Sequence, residues 1–262
     1  NTHKLNNALK YIKDVNNNNP ITFFEITTAA AIYLFSQVKA NFLIMETGLG
    51  GRLDATNIIE SSLVDIITPI GIDHQEFLGK NIISITNEKI GIIKKNSNII
   101  IGKQRNNVVN HIKKKLKKNN NNQLYFGKEF SVLNKNNNFF NLNYKNKVFK
   151  FARPQLEGEH QIDNATTAIS AVLRLKEIGY NFNIKKINTG ISNTKWPGRL
   201  EIAFLGNIKI YLDGAHNLAG AAEILKYFVN KKYKLWLVIG MLKNKNLEGF
   251  IKKLKPILKG VI

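Results

Sequence analysis

The chain has 262 residues, of which 44% are hydrophobic and 10% aromatic, enough apolar material for one large domain or two ordinary ones. It contains no cysteine, which excludes disulfide frameworks, zinc–thiolate sites and thiol nucleophiles. No apolar run reaches the roughly 18 residues of a membrane span, and the first residues lack a signal-peptide layout. We therefore expect a globular cytoplasmic protein with no membrane partner.

The charge is strongly basic, with 39 Lys and Arg against 18 Asp and Glu and a net charge of +21. Such an excess of positive charge suggests a nucleic-acid partner. The basic residues, however, are mostly lysines mixed with asparagines, as in residues 113–122 and 134–138, without interleaved aromatic side chains. An AT-rich codon bias, which favours Lys, Asn and Ile together, accounts for this pattern. We expect no nucleic-acid partner, and a non-catalytic basic nucleic-acid-binding protein remains an alternative.

The first half of the chain alternates helical periodicity with short apolar runs. Strands that are apolar on both faces and separated by helices indicate a mostly parallel sheet covered on both sides. The pattern predicts helices at residues 22–37 and 82–93 and buried strands at residues 42–45, 64–68 and 99–101.

The second half begins with a basic helix and a stretch of alternating apolar and polar residues, which predicts an antiparallel β insertion at the edge of the sheet. A second α/β domain follows, and only two strand–helix units of it are present. We predict domains at residues 1–196 and 197–262. The predicted elements are helices at residues 108–118, 160–175, 184–192 and 219–229, the insertion at 124–151, a hairpin at 200–205 and 208–212, and a strand at 235–239.

Two candidate metal ligands follow the first two predicted strands. Glu46 closes residues 42–45 and precedes a glycine-rich turn, and His74 follows residues 64–68. Because ligands gather at the carboxyl ends of parallel strands, a carboxylate and an imidazole there can share one Mg²⁺. Taken singly, Glu46 reads as a solvated loop residue and His74 as a hydrogen-bonded histidine.

Other polar residues fall at similar places. His160 and Asn164 share a helix face near its N-terminus, where they can meet a base or a phosphate. Arg199 follows the Trp-Pro-Gly junction, as a phosphate ligand or a linker residue. Asp213 and His216 end a strand, and the neighbouring Asn217 also fits a helix N-cap. Lys89, on sequence alone, is a solvated helix lysine.

Seven motifs, taken in their order along the chain, resemble those of the dihydrofolate synthase/folylpolyglutamate synthase branch of the Mur ligase superfamily. The longest string, Glu-Thr-Gly-Leu-Gly-Gly-Arg-Leu-Asp-Ala-Thr-Asn, and the Trp-Pro-Gly-Arg string indicate the folate branch rather than peptidoglycan ligases. The motifs lie at residues 22–25, 45–57, 71–79, 88–93, 158–165, 196–201 and 213–217.

This resemblance implies a fold and a reaction. The fold is α/β, with the mostly parallel sheet of a Mur-ligase-type ATPase domain, a small β insertion and a partial Rossmann-like C-terminal domain. The reaction is an ATP-dependent carboxylate–amine ligation that adds L-glutamate to dihydropteroate, to a tetrahydrofolate, or to both, through an acyl phosphate. The partners would be these small molecules, and we expect a monomer.

The resemblance also implies roles for single residues. Glu46 and His74 would be ligands of Mg²⁺, of which two ions are expected, and Lys89 would be the lysine that such enzymes carry as a carbamate. Lys89, His74 and Arg199 are thus the candidate catalytic residues. The ATP contacts would be Asn164, Arg199 and Asp213, with His216 beside them. The pterin-substrate pocket would comprise Thr22, Phe23, Phe24, Glu25, Arg52, Leu53, Asp54 and Ala55.

One feature of the family is absent from these residues. The glycine-rich phosphate loop, of the type Gly-x-x-Gly-Lys-Ser, does not occur in residues 1–262. We expect a fragment or an incomplete gene product that binds ATP weakly by itself. A Mur-type peptidoglycan ligase and a catalytically inactive fragment are the remaining alternatives.

Overall fold

A three-stranded parallel sheet lies at the centre of the first part of the computed structural model, which describes residues 2–262. Its strands are β1 (Val64–Ile67), β2 (Asn98–Ile101) and β3 (Asn122–Tyr125), in the order β1-β2-β3. The middle strand is fully enclosed, since Ile99, Ile100 and Ile101 are each 0% exposed. Helices cover both faces of this sheet. The predicted α/β class is therefore confirmed.

The helices of the described residues mostly match the predicted positions, with α1, α3 and α9 as additions. They are α1 (Thr2–Val15), α2 (Phe23–Ser36), α3 (Gln75–Leu78), α4 (Ile82–Ile90), α5 (Asn106–Leu116), α6 (His160–Glu177), α7 (Ile184–Ser192), α8 (Leu218–Phe228) and α9 (Leu247–Leu254). Helix α4 is shorter than predicted because its C-cap is Gly91.

The remaining strands form three small sheets. These strands are β4 (Phe130–Lys135), β5 (Phe139–Tyr144), β6 (Lys147–Ala152), β7 (Glu201–Leu205), β8 (Ile208–Leu212), β9 (Leu235–Leu237) and β10 (Leu258–Val261). Strands β4, β5 and β6 are antiparallel, as are β7 and β8, whereas β9 and β10 are parallel.

The β insertion differs from its prediction at one end. Residues 124 and 125 pair in parallel with β2, and only the later part forms the antiparallel sheet. The side chains of Leu124 and Tyr125 are nearly completely buried, at 2% and 6% exposure. These two residues therefore pair with the central sheet, where they are buried, although the alternating pattern favoured an antiparallel strand.

The prediction of a buried strand at residues 42–45 is wrong. The segment has no regular secondary structure, and Ile44 is 91% exposed. Within residues 2–262 no backbone amide of this run donates to another backbone group, so no neighbouring strand pairs with it. An apolar run is buried as a strand only where a neighbouring strand accepts its hydrogen bonds. Phe42 alone finds ring contacts, with Tyr180 and Phe182.

Buried apolar side chains fall into three clusters. Two surround the parallel sheet and the β insertion, and every residue in them lies between positions 49 and 191. The third lies between positions 200 and 258 and includes Phe228, Phe250 and Leu254. We call residues 2–192 the N-terminal unit and residues 200–262 the C-terminal unit. The domain boundary at residues 196 and 197 remains a prediction.

Candidate functional site

The glycine-rich turn packs closely against the end of α4. Gly51 has a left-handed φ of +156°, and a Cβ added there would lie 2.7 Å from the carbonyl oxygen of Glu88. A Cβ added to Gly91 would lie 2.3 Å from that of Arg52. Only glycine permits these approaches, so the turn is fixed to the helix that carries Lys89.

Arg52 and Asp54 help to hold this turn in shape. The guanidinium of Arg52 contacts Glu88 Oε1 at 3.1 and 3.2 Å. The carboxylate of Asp54 accepts hydrogen bonds from the amides of Leu49 and Thr56 and from the Thr56 hydroxyl. Burial raises the pKa of Asp54, but these hydrogen bonds outweigh it and leave the pKa below its ordinary value. Leu53, between the two polar residues, is 78% exposed.

The residues expected in a pterin pocket begin at the start of α2. Thr22 and Glu25 form a capping box, in which each side chain accepts from the backbone amide of the other residue. Their polar atoms therefore serve helix formation. Phe23 is 83% exposed, whereas the ring of Phe24 lies against the glycine-rich turn, close to Gly48.

The two candidate metal ligands have different surroundings. Glu46 makes no hydrogen bond or ion pair with any described residue, so its carboxylate is available to a cation. His74 adopts a left-handed backbone, with φ of +50°, immediately before α3. Its Nε2 lies 4.0 Å from Asp73 Oδ2. The free carboxylate of Glu46 is the kind of oxygen ligand that Mg²⁺ prefers, and the imidazole of His74 is accessible.

Lys89 is half-buried in the last turn of α4. Burial lowers the pKa of its ammonium group, and the negative charge of Asp73 opposes this shift. Lys89 is thus not the solvated helix lysine that its local sequence suggests, and it faces the same carboxylate as His74.

Asp73 is a residue that the sequence analysis did not select, although it stands next to His74. Its Oδ1 accepts from Lys245 Nζ at 2.5 Å, and its Oδ2 accepts from Asn217 Nδ2 at 2.8 Å and lies 3.1 Å from His216 Nε2. Burial raises the pKa of Asp73, but the hydrogen bonds from Lys245 and Asn217 outweigh it and hold the pKa well below its ordinary value.

Asp73, His74 and His216 place three possible metal-ligand atoms within 4.8 Å of one another. The Asp73 carboxylate is already occupied, because it also accepts the backbone amide of His74. A cation between the three side chains would have to displace the hydrogen bond of Asn217 and lie beside the ammonium of Lys245. These residues therefore fit an ionic contact between the two units better than a metal site.

The predicted nucleotide contacts gather around the junction of the two units. Asp213 accepts from the amides of Leu200 and Ala215, both at 2.8 Å, which fixes the loop that presents Arg199. The guanidinium of Arg199 is exposed and makes no hydrogen bond or ion pair with the described residues. It is therefore free to receive an anion.

The N-terminal turn of α6 faces the same junction. His160 Nδ1 lies 3.5 Å from Glu223 Oε2 of the C-terminal unit. Burial lowers the pKa of His160, and the charges of Glu223 and Asp213 oppose this shift. Asn164 is exposed and donates to Gln161. His216 Nδ1 lies 3.0 Å from the carbonyl oxygen of Gly214, and its Nε2 lies 3.1 Å from Asp73 Oδ2.

His74, Lys89 and His216 thus lie around Asp73, and Asp213 lies near His160. These side chains meet at the junction of the two units. The Mur ligase middle domain family matches residues 3–172. The chain belongs to the Mur ligase family. No helix within residues 2–262 is long and apolar enough to cross a membrane.

Several relatives of this Mur ligase chain carry folate-related names. It is 35% identical over 240 residues to a probable dihydrofolate synthetase of Schizosaccharomyces pombe. The matched region covers 88% of this chain and 56% of the relative. It is 34% identical over 250 residues to the dihydrofolate synthase/folylpolyglutamate synthase of Bacillus subtilis, covering 92% and 57%. The chain spans somewhat more than half the length of these relatives.

Solved structures of the same enzymes share its fold. The folylpolyglutamate synthase of Mycobacterium tuberculosis complexed with ADP and AMPPCP superposes with a TM-score of 0.86 at 27% identity, covering 98% of this chain and 62% of that one. A folylpolyglutamate synthase complex with AMPPCP and folate gives a TM-score of 0.87 at 25% identity, covering 96% and 62%. The resemblance inferred from the motifs is therefore confirmed.

Proposed function

We propose that this chain is the larger part of an ATP-dependent carboxylate–amine ligase that adds L-glutamate to dihydropteroate, to a folate, or to both. The observation that carries the proposal is the junction itself. His74 and the half-buried Lys89 lie beside Asp73, which His216 of the C-terminal unit also contacts, and an exposed, unpaired arginine, Arg199, stands in the loop that Asp213 fixes. The folate-related names of the relatives support the choice of substrate.

The proposed reaction has two steps. A carboxylate oxygen of the acceptor attacks the γ-phosphorus of ATP, the bond to the β-phosphate oxygen breaks, and ADP leaves. The amine of glutamate then attacks the acyl carbon, phosphate leaves, and the ammonium protons pass to solvent. The protein needs no nucleophile of its own, so its contribution is positioning and charge neutralisation.

Arg199 is the residue to which we assign phosphate binding. Its loop is fixed by the Asp213 hydrogen bonds, whereas its guanidinium has no protein partner within residues 2–262. A fixed backbone with a free fork of donors suits a bidentate phosphate contact. Asn164 and His216 would contact the nucleotide from the two sides of the junction.

Glu46 and His74 are the residues that would hold Mg²⁺, with a second ion as a further part of the proposal. The metal, when bound, would offset the negative charge of the phosphates. Lys89 would contribute as a carbamate, because a lowered pKa leaves more of the neutral amine that reacts with CO₂. Carbon-13 NMR in labelled bicarbonate tests this assignment. A carbamate signal that disappears in Lys89→Arg supports it, and no signal in the unchanged protein contradicts it.

The reaction is tested by measuring ADP release with L-glutamate and either dihydropteroate, a tetrahydrofolate or a UDP-muramoyl substrate. Release stimulated by a pterin substrate supports the proposal, and release stimulated only by the UDP-muramoyl substrate would favour a peptidoglycan ligase. Arg199→Gln is expected to lower kcat/KM at least about tenfold, as loss of a charged phosphate contact does. Lys195→Gln, which removes another exposed cation in the same segment, is the matched control and should leave activity unchanged.

Three further points belong to the same proposal. We propose a cytoplasmic location, a monomer and no nucleic-acid partner. The lysines are spread along the chain, and those at residues 113–115 form an exposed face of α5. A salt-dependent gel shift at physiological ionic strength would contradict the absence of a nucleic-acid partner, and analytical ultracentrifugation tests the monomer.

A further inference from the structure

Three side chains of the C-terminal unit meet at a single carboxylate of the N-terminal unit. Three residues of the C-terminal unit, Lys245, His216 and Asn217, reach the carboxylate of Asp73 at 2.5, 3.1 and 2.8 Å. Nearby, Asn244 Nδ2 donates to Glu76 Oε1 at 2.9 Å, and elsewhere between the units His160 Nδ1 lies 3.5 Å from Glu223 Oε2. Asp73 and Glu76 belong to the loop and short helix that follow β1.

These three donors come from two separate places in the C-terminal unit. His216 and Asn217 lie at the start of α8, where Asn217 is the N-cap and its Oδ1 accepts from the amide of Gly220. Lys245 lies 28 positions later, in the turn that leads into α9. A single carboxylate therefore fixes two helix starts at once, which constrains rotation as well as distance between the units.

The environment of the pair makes it stronger than an ordinary surface ion pair. The side chain of Lys245 is only 10% exposed and that of Asp73 22% exposed. Charges that are withdrawn from water attract each other more strongly, and removing one of them leaves the other without compensation. Surface pairs such as Lys103 with Asp163, whose lysine side chain is 60% exposed, lack this property.

Asp73 is also tied to its own unit. Its Oδ1 accepts the backbone amide of His74 at 2.9 Å, and its charge acts on Lys89 in α4. The carboxylate is therefore held on the N-terminal side before the C-terminal donors reach it. This arrangement suits a fixed anchor point better than a flexible contact.

We propose that Asp73 is the positioning residue that fixes the C-terminal unit against the N-terminal unit, with Lys245 as its principal partner. The pair sets the orientation in which the start of α8 faces the loop after β1. The inference concerns the relative placement of the two units and holds whatever reaction the junction performs. Removal of either charge is expected to release the C-terminal unit while each unit keeps its own fold.

The absence of cysteine makes the test direct, because two introduced cysteines take spin labels at no other position. Lys114→Cys in α5 and Lys252→Cys in α9 are exposed sites, one in each unit. In the full chain, electron–electron double resonance should give one narrow distance distribution between the labels. Asp73→Asn and Lys245→Met, each added to this background, should broaden the distribution severalfold and shift it.

The matched control is Glu177→Gln, which also removes one negative charge. Glu177 accepts from both Lys145 and Arg174 at 2.7 Å, and all three residues lie in the N-terminal unit. This variant should leave the distance distribution unchanged. Circular dichroism of each variant verifies that the helices are retained, so that a broadened distribution reports placement rather than unfolding.

The double variant Asp73→Asn/Lys245→Met gives a second criterion. If the two charges act as one contact, the distance distribution of the double variant should be no broader than the broader of the two single-variant distributions, since the effects of coupled residues are not additive. A distribution that stays narrow in either single variant would overturn the proposal. The proposal would also be overturned if the distribution of the double variant broadened by the sum of the two single-variant effects.

Discussion

Residues 42–45 and residues 99–101 are both short and wholly apolar, yet they have opposite environments. Ile99, Ile100 and Ile101 are completely buried in β2, between two parallel neighbours. Ile44 is 91% exposed in a segment without a partner strand among residues 2–262. The difference shows that an apolar run specifies a capacity for burial, whereas hydrogen-bonded neighbours decide whether burial occurs.

The largest expected effect compares one side chain from each run. Ile100→Ala should lower the free energy of unfolding by about 3–4 kcal/mol, because it removes fully buried methyl groups and leaves a cavity. Ile44→Ala should change it by less than about 0.5 kcal/mol, as exposed substitutions do. Urea unfolding of both variants measures the two values. Equal losses would mean that residues 42–45 are buried in solution.

A smaller contrast lies within β1, the edge strand of the same sheet. Ile67 is 3% exposed and packs in a core cluster, whereas the adjacent Ile66 is 40% exposed on the other face. We expect Ile67→Ala to cost about 2–3 kcal/mol and Ile66→Ala less than about 1 kcal/mol. The same urea titrations test this. A larger cost at Ile66 would show that the outer face of β1 is covered.

The smallest expected effect concerns the turn that follows residues 42–45, in which the buried carboxylate of Asp54 is held by hydrogen bonds. Since the pKa of Asp54 is lower in the folded state, its ionised form contributes stability above its ordinary pKa of 3.8. This contribution should be lost as the pH falls from about 4 through the folded pKa. Asp54→Asn should therefore be less stable at neutral pH and lose less stability in acid. Thermal unfolding from pH 7 to pH 3 measures both slopes, and parallel slopes would contradict the assignment.

Much of the fold could be predicted because local pattern and tertiary packing agree. Helix α6 begins at the predicted His160, and α7 occupies the predicted residues. The hairpin of β7 and β8 turns at Gly206, whose φ of +57° suits glycine. The β insertion was only partly predictable, since its first residues join the parallel sheet instead.

The candidate site was predictable to a different degree. His74, Arg199, Asp213 and His216 were selected as candidates from their positions after strands or at the junction, and their roles remain predictions. Asp73 was missed although it lies inside a recognised motif, and Lys245 was missed because it lies outside all of them. Their 172 positions of sequence separation give no local signal, because only folding brings a lysine from before α9 to a carboxylate after β1.

Local periodicity and motifs in their order along the chain were enough to predict most helices, most strands and the family. The tertiary structure alone decided which apolar runs are buried, that Lys89 is withdrawn from water, and that Asp73 joins the two units. The physical reason is the same in each case. Burial, pKa and ionic contact depend on neighbours that are distant in the chain, and such neighbours exist only after the units have packed.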